Sequence, residues 1–337
     1  MMRTPCTIAT VLLLAMLAGQ ACTEKDQLQP DERTAIVFSA VVSGDMPLTR
    51  AANEINDDNS LQSAGFGVFA CYTGLHKYAE SNANSSFMYN QRLEWSSGNW
   101  RYEPVKYWPN GQGEATDVTG DNPYYVSFFA YAPYSDGSNA CIPSCILEQE
   151  SGDPWILYRL SDDVAGQVDL LYAQPLLDQK KPKTGSKLEF TFKHALACIG
   201  DTVNISSSAA GSGFEIRLKE VKIDYTLTAK ARLVLWNRGT ANWSVVQSEE
   251  VVTTRSVTLL SNGNETLPKT FEGQGVLCIP AEATGYPQKA TAHVTYIVNY
   301  DDPSTAPVER TTESEILLKS LLQEGKKLEI NINLTNL

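Results

Sequence analysis

The chain has 337 residues, 42% of them hydrophobic, which is enough material for about two packed domains. A net charge of −12, with no basic cluster beyond Lys180, Lys181 and Lys183, argues against a nucleic-acid partner. The only histidines are His76, His194 and His293, and neither Gly-x-Ser-x-Gly nor His-Glu-x-x-His occurs. No catalytic residues, metal or cofactor are therefore expected, and the chain reads as a non-enzyme.

In chain order, residues 1–21 read as an export signal: Arg3, then the apolar run Ile8 to Leu17, then small residues leading to Ala21. That run is too short to cross a bilayer as a helix. Cys22 directly follows and is the expected lipid attachment point, which would tether the chain to a membrane. Residues 22–33 are polar and acidic and read as a flexible tether. Thr34 to Val42 is the first strand expected. Ile36, Phe38, Ala40 and Val42 share one face, and the largely apolar second face (Ala35, Val37, Ser39, Val41) suggests burial on both sides. Gly44-Asp45-Met46-Pro47 breaks the pattern and leads to Thr49-Arg50-Ala51, an accessible site for a trypsin-like protease between Arg50 and Ala51.

Period-two hydrophobicity then recurs along the chain. Strands are expected at Gly67 to Cys71, Phe87 to Trp95, Tyr124 to Tyr131, Val168 to Ala173 and Lys187 to Cys198. Further strands are expected at Phe214 to Tyr225, Ala231 to Leu235, Arg255 to Leu259, Thr291 to Tyr300 and Lys327 to Leu334. Only Ser314 to Leu322 has a helical look. Strands at this spacing without helical alternation point to an all-β chain of two tandem β-sandwiches, residues 34–184 and 185–337, joined at the Lys/Pro/Gly segment near Asp178 to Ser186. The last strand alternates without a fault: Leu328, Ile330, Ile332 and Leu334 face one way, Lys327, Glu329, Asn331 and Asn333 the other. Such a terminal strand can complete its own sheet or be donated to a neighbour's. Cys71, Cys198 and Cys278 sit in apolar strand patterns as small hydrophobes. Cys141 and Cys145 lie in a Ser/Asn/Pro loop, and in an exported protein the pair points to a local disulfide more than to zinc, which would need two further ligands. Asp117, Asp121 and Asn122 lack the spacing of a calcium loop and read as a turn.

These residues resemble the fimbrillins, the subunits of type V pili, and their fimbrillin-like relatives. The resemblance is carried by Thr49-Arg50-Ala51, Gly67-Val68-Phe69-Ala70, Tyr107-Trp108-Pro109, Phe129-Ala130-Tyr131-Ala132-Pro133 and Asp169-Leu170-Leu171-Tyr172-Ala173. Phe192-Lys193-His194-Ala195-Leu196 and Gly325-Lys326-Lys327 extend it. It implies two transthyretin-like sandwiches exported as a lipoprotein precursor, cut after Arg50 by a surface trypsin-like protease. Residues 34–50 would then leave as a removable strand and loop, and a terminal strand of another copy, or of a related subunit, would fill the vacated groove. The implied setting is the outer membrane, through lipid on Cys22, and an extracellular adhesive fibre that meets a host or bacterial surface ligand. The alternatives are a tip or anchor subunit, or a monomeric surface lipoprotein that binds a glycan or another ligand.

Overall fold

The structure, a computed structural model, describes residues 34–43, 54–109, 123–182, 186–208, 213–236, 242–246, 251–273 and 275–335. In chain order the elements are β1 Phe38–Val42, α1 Asp58–Ala64, β2 Phe66–Gly74, β3 Met88–Ser96, β4 Asn99–Arg101, β5 Tyr125–Ala132 and β6 Ser144–Cys145. There follow β7 Trp155–Arg159, β8 Leu171–Ala173, β9 Leu176–Gln179, β10 Leu188–His194, β11 Ala197–Ser207, β12 Phe214–Thr228 and β13 Lys230–Val234. The rest are β14 Trp243–Val245, β15 Val252–Leu260, β16 Glu265–Thr266, β17 Lys269–Glu272, β18 Val276–Cys278, β19 Lys289–Tyr300, β20 Val308–Leu317 and β21 Lys327–Leu334. The chain is all-β, as its period-two patterning requires.

Among the described residues the strands form four sheets. The first runs β1-β10-β8-β5-β2-β3-β4, with β9 also on β5. Alternation in its central strands splits the side chains between two cores. Val68, Ala70, Phe128 and Ala130 enter a cluster with Phe38, Phe190, Phe192 and Trp100. Phe69, Cys71, Phe129 and Tyr131 enter a larger cluster that continues through β11, β12 and β19. The helix α1 closes the smaller core with Leu61, its one buried residue. Its start is secured reciprocally: Ser60 N donates to Asp57 Oδ1 at 2.7 Å, and Asp57 N donates to Ser60 Oγ at 3.0 Å.

Two sequence expectations are corrected here. Lys187 to Cys198 is two strands: β10 stays in the first sheet, and after Ala195 and Leu196 the chain enters the sheet of β11, β17, β18 and β21. β10 alternates, with Phe190 and Phe192 inward and Glu189, Thr191 and Lys193 outward, whereas Ala195 to Cys198 is buried throughout as the chain passes between the two sheets. Ser314 to Leu322 is not a helix. Its first part completes β20, paired with β19 from Val298↔Val308 to Lys289↔Leu317, so a long ladder overrides local propensity. Only one turn survives, where Leu322 N donates to the Leu318 carbonyl at 3.2 Å. Sheet membership does not change at the Asp178 to Ser186 segment. β10 lies after it and joins the first sheet, whereas β6 and β7 lie before it and share a sheet with β13 and β14, in the order β14-β13-β7-β6.

Gly200 shows how closely β11 is approached. Its φ is +73°, and an added Cβ would collide with the Tyr225 hydroxyl and lie 3.4 Å from Ile330 Cδ1. Gly200→Ala is expected to lower stability by more than about 1 kcal/mol, read from the denaturation midpoint. An unchanged midpoint would show that β11 can relax there.

Candidate functional site

Among the described residues β1 is the outermost strand of the first sheet and has a single strand neighbour, β10, to which it runs parallel from Phe38↔Leu188 to Val42↔Phe192. Its ends are held separately. Ile36 N donates to the Lys106 carbonyl at 3.0 Å, and Trp108 N donates to the Thr34 carbonyl at 3.0 Å. The Tyr102 hydroxyl donates to the Ile36 carbonyl at 2.8 Å, and burial pushes that phenol up to about 12, so it remains a donor. At the far end Val42 N donates to Asp58 Oδ1 at 2.9 Å, tying β1 to the start of α1.

The seat beneath β1 is aromatic. Phe38 stacks on Phe190 at 5.6 Å between centroids and meets Tyr102 and Phe128 edge-on at 5.7 Å each. Ile36 and Phe38 are each 1% exposed, and Ala40 and Val42 pack partly buried against the same cluster. The two deepest side chains alone contribute about 3–6 kcal/mol of burial. The outward face differs from expectation at one position: Val37 is 37% exposed, while Ala35, Ser39 and Val41 are half-buried.

β21 repeats this arrangement at the other end of the chain. It lies parallel to β11, on the side opposite β17 and β18, in register from Cys198↔Lys327 to Ser207↔Leu334 with one irregularity between Ile199 and Val203. Ile330, Ile332 and Leu334 are 2, 4 and 3% exposed, and Leu328 packs partly buried against the main core. Glu329, Asn331 and Asn333 face solvent, with Asn331 Oδ1 accepting from Asn204 Nδ2 at 3.0 Å. The two terminal strands are thus edge strands laid parallel on β10 and β11, which follow one another in sequence.

Other expected site residues fall elsewhere. Cys22, Arg50, Ala51 and the Asp117–Asn122 segment lie outside the described residues. Cys141 and Cys145 do not form the expected disulfide; both are free thiols with separate surroundings. Cys141 is buried with its Sγ 3.9 Å from the Gly166 carbonyl, and Cys145 Sγ is 3.6 Å from the Tyr89 hydroxyl. Burial raises both thiols above their usual range.

Asp58, Tyr102 and Asp169 were not legible as site residues, because each acts through a contact distant in sequence. Asp169 sits beside the start of β8 and is 1% exposed; its Oδ2 accepts from Ile55 N at 3.3 Å and lies 2.8 Å from His194 Nδ1. His194 at the end of β10 is the core histidine its apolar flanks suggest.

The described residues thus form an all-β fold with an apolar-backed edge strand at β1 and another at β21. Residues 49–337 match the Fimbrillin-like family, and the chain belongs to it. It is similar to Fimbrium subunit Fim1C of Phocaeicola vulgatus, 22% identical over 255 residues that cover 72% of this chain and 62% of that protein. In fold it is similar to a fimbrial protein from Bacteroides vulgatus, with a TM-score of 0.59 and 18% identity over 89% of this chain and 95% of that one.

Proposed function

We propose that the chain is a non-enzymatic fimbrial subunit of the cell surface, exported as a lipoprotein precursor and lipidated on Cys22. Cleavage between Arg50 and Ala51 by a trypsin-like protease then frees β1, and subunits assemble by strand exchange for adhesion. The observation that carries this reading is the position of β1. Its Ile36 and Phe38 fill an apolar trough, yet β1 is an edge strand attached through the 44–53 segment, so it can leave without breaking the sheet behind it. The trough left by its departure would be unstable in water. Another copy's terminal strand matches it in spacing: Leu328, Ile330, Ile332 and Leu334 alternate as Ile36, Phe38, Ala40 and Val42 do. Four such side chains contribute on the order of 6–12 kcal/mol before ordering costs. Head-to-tail contacts of this kind propagate without closing, which suits a fibre.

Trypsin treatment of the purified precursor tests the reading. The expected outcome is a cut after Arg50, loss of the β1 peptide and a ladder of oligomers on native gels. A chain that is cut yet keeps β1, or that stays a monomer, supports a monomeric surface lipoprotein instead.

A further inference from the structure

Five ionisable side chains meet where the segment following residue 53 reaches the junction of the first sheet with that of β11. Asp169 and His194 form the buried pair already described. Glu54 faces both, with Oε2 accepting from Asn56 Nδ2 at 2.9 Å and Oε1 buried without a hydrogen-bond partner. Lys327, the first residue of β21, lies 2.7 Å from Asp201 Oδ2 and feels the charge of Glu54. Tyr158 and Cys198 complete the surroundings as buried neutral groups facing Asp169.

We propose that the Asp169–His194 pair, faced by Glu54 and backed by Lys327 and Asp201, is a protonation-controlled latch holding the Glu54–Asp57 segment against the sheet junction. Asp169 Oδ2 accepts from the Ile55 amide and lies 2.8 Å from His194 Nδ1 as an ion pair, so its charge must stay compensated for the segment to stay docked. With His194 protonated, three carboxylates face two cations. When His194 loses its proton, the buried Asp169 charge is left beside Glu54, and the easiest relief is for residues 54–56 to move out to water. The latch bears on the strand-exchange reading because it holds the chain that would remain after a cut at Arg50.

The two titrating groups act in the same direction. Burial disfavours the His194 imidazolium, but Asp169, by ion pairing and charge, outweighs it and raises the pKa above the usual histidine value. The stabilisation it provides is therefore full below about pH 6.5 and is lost as pH rises through the folded pKa. Burial also raises the Glu54 carboxyl, opposed by the Asn56 amide and reinforced by Asp169, so the folded chain holds that proton more tightly than the unfolded one. That contribution too is present at low pH and lost as pH rises.

Hydrogen exchange of the Ile55 amide in the intact, uncut chain between pH 6 and 9 tests the latch. After correction for intrinsic exchange, protection is expected to fall with rising pH, by up to about tenfold per pH unit for one linked proton. His194→Gln and Asp169→Asn flatten the dependence, and Glu54→Gln shows a shallower fall than the wild type. Protection that is level with pH, or that falls equally in all variants, overturns the proposal. Should the buried variants fail to fold, NMR titration of the wild type decides. An Ile55 resonance that follows the His194 imidazole supports the latch, and one that ignores it overturns it. Because this readout needs neither cleavage nor assembly, it can fail while strand exchange succeeds, or the reverse.

Discussion

Phe38→Ala is expected to destabilise the intact chain by about 3–5 kcal/mol in chemical denaturation. The side chain is 1% exposed and touches three aromatic rings in the smaller core, so its loss leaves a cavity that Phe190 and Phe128 cannot both move to fill. Val37→Ala, one residue away on the open face, should change stability by no more than about 0.5 kcal/mol. Equal effects at the two positions would mean that β1 is not seated as the structure places it. The same substitution separates folding from assembly. If β1 is discarded on processing, trypsin-cut Phe38→Ala chains should polymerise as the wild type does, because the altered residue is no longer present.

Replacing Ile330 and Ile332 together by alanine is expected to have the opposite profile. Each is buried in the main core, and each truncation costs about 2–5 kcal/mol. They lie two residues apart on one face of β21 and share neighbours, so the double variant will depart from simple addition. The loss should appear in the intact chain as a lowered denaturation midpoint. Under strand exchange it should also appear after cleavage as missing oligomers, since β21 remains in the processed subunit and is the strand offered to the next copy. An assembly defect of the same size in Phe38→Ala and in the Ile330/Ile332 variant would defeat the assignment of one strand as plug and the other as donor.

The facing of both strands was readable without coordinates. Ile36 and Phe38 point inward, as do Ile330, Ile332 and Leu334, because period two leaves no other way to hide alternating apolar residues from water. The edge position of either strand was not readable. An edge is defined by a partner that is absent on one side, and the apolar second face of Thr34 to Val42 suggested burial where Val37 is open. Parallel pairing to β10 and β11 was equally hidden, since the side-chain pattern of a strand is the same in both directions. β20 shows the converse failure: its residues are nearly all exposed, so no apolar period marked it as a strand, and its ladder to β19 alone makes it one.

The candidate site follows the same division. Glu54, Asp169 and His194 come from three separated stretches of chain, and nothing about a lone acid or a lone histidine announces that they will share a buried corner. The Cys141–Cys145 spacing permitted a bridge, but the thiols turn to Gly166 and Tyr89.

What the amino-acid sequence determined by itself is the all-β class, the inward face of each terminal strand and the absence of any recognisable catalytic motif, because each depends on local period or residue type. Tertiary structure alone decided which strands stand at the edges, which neighbours they take and which charges meet. Those outcomes depend on main-chain pairing and on desolvation between segments more than a hundred residues apart, for which local pattern carries no signal.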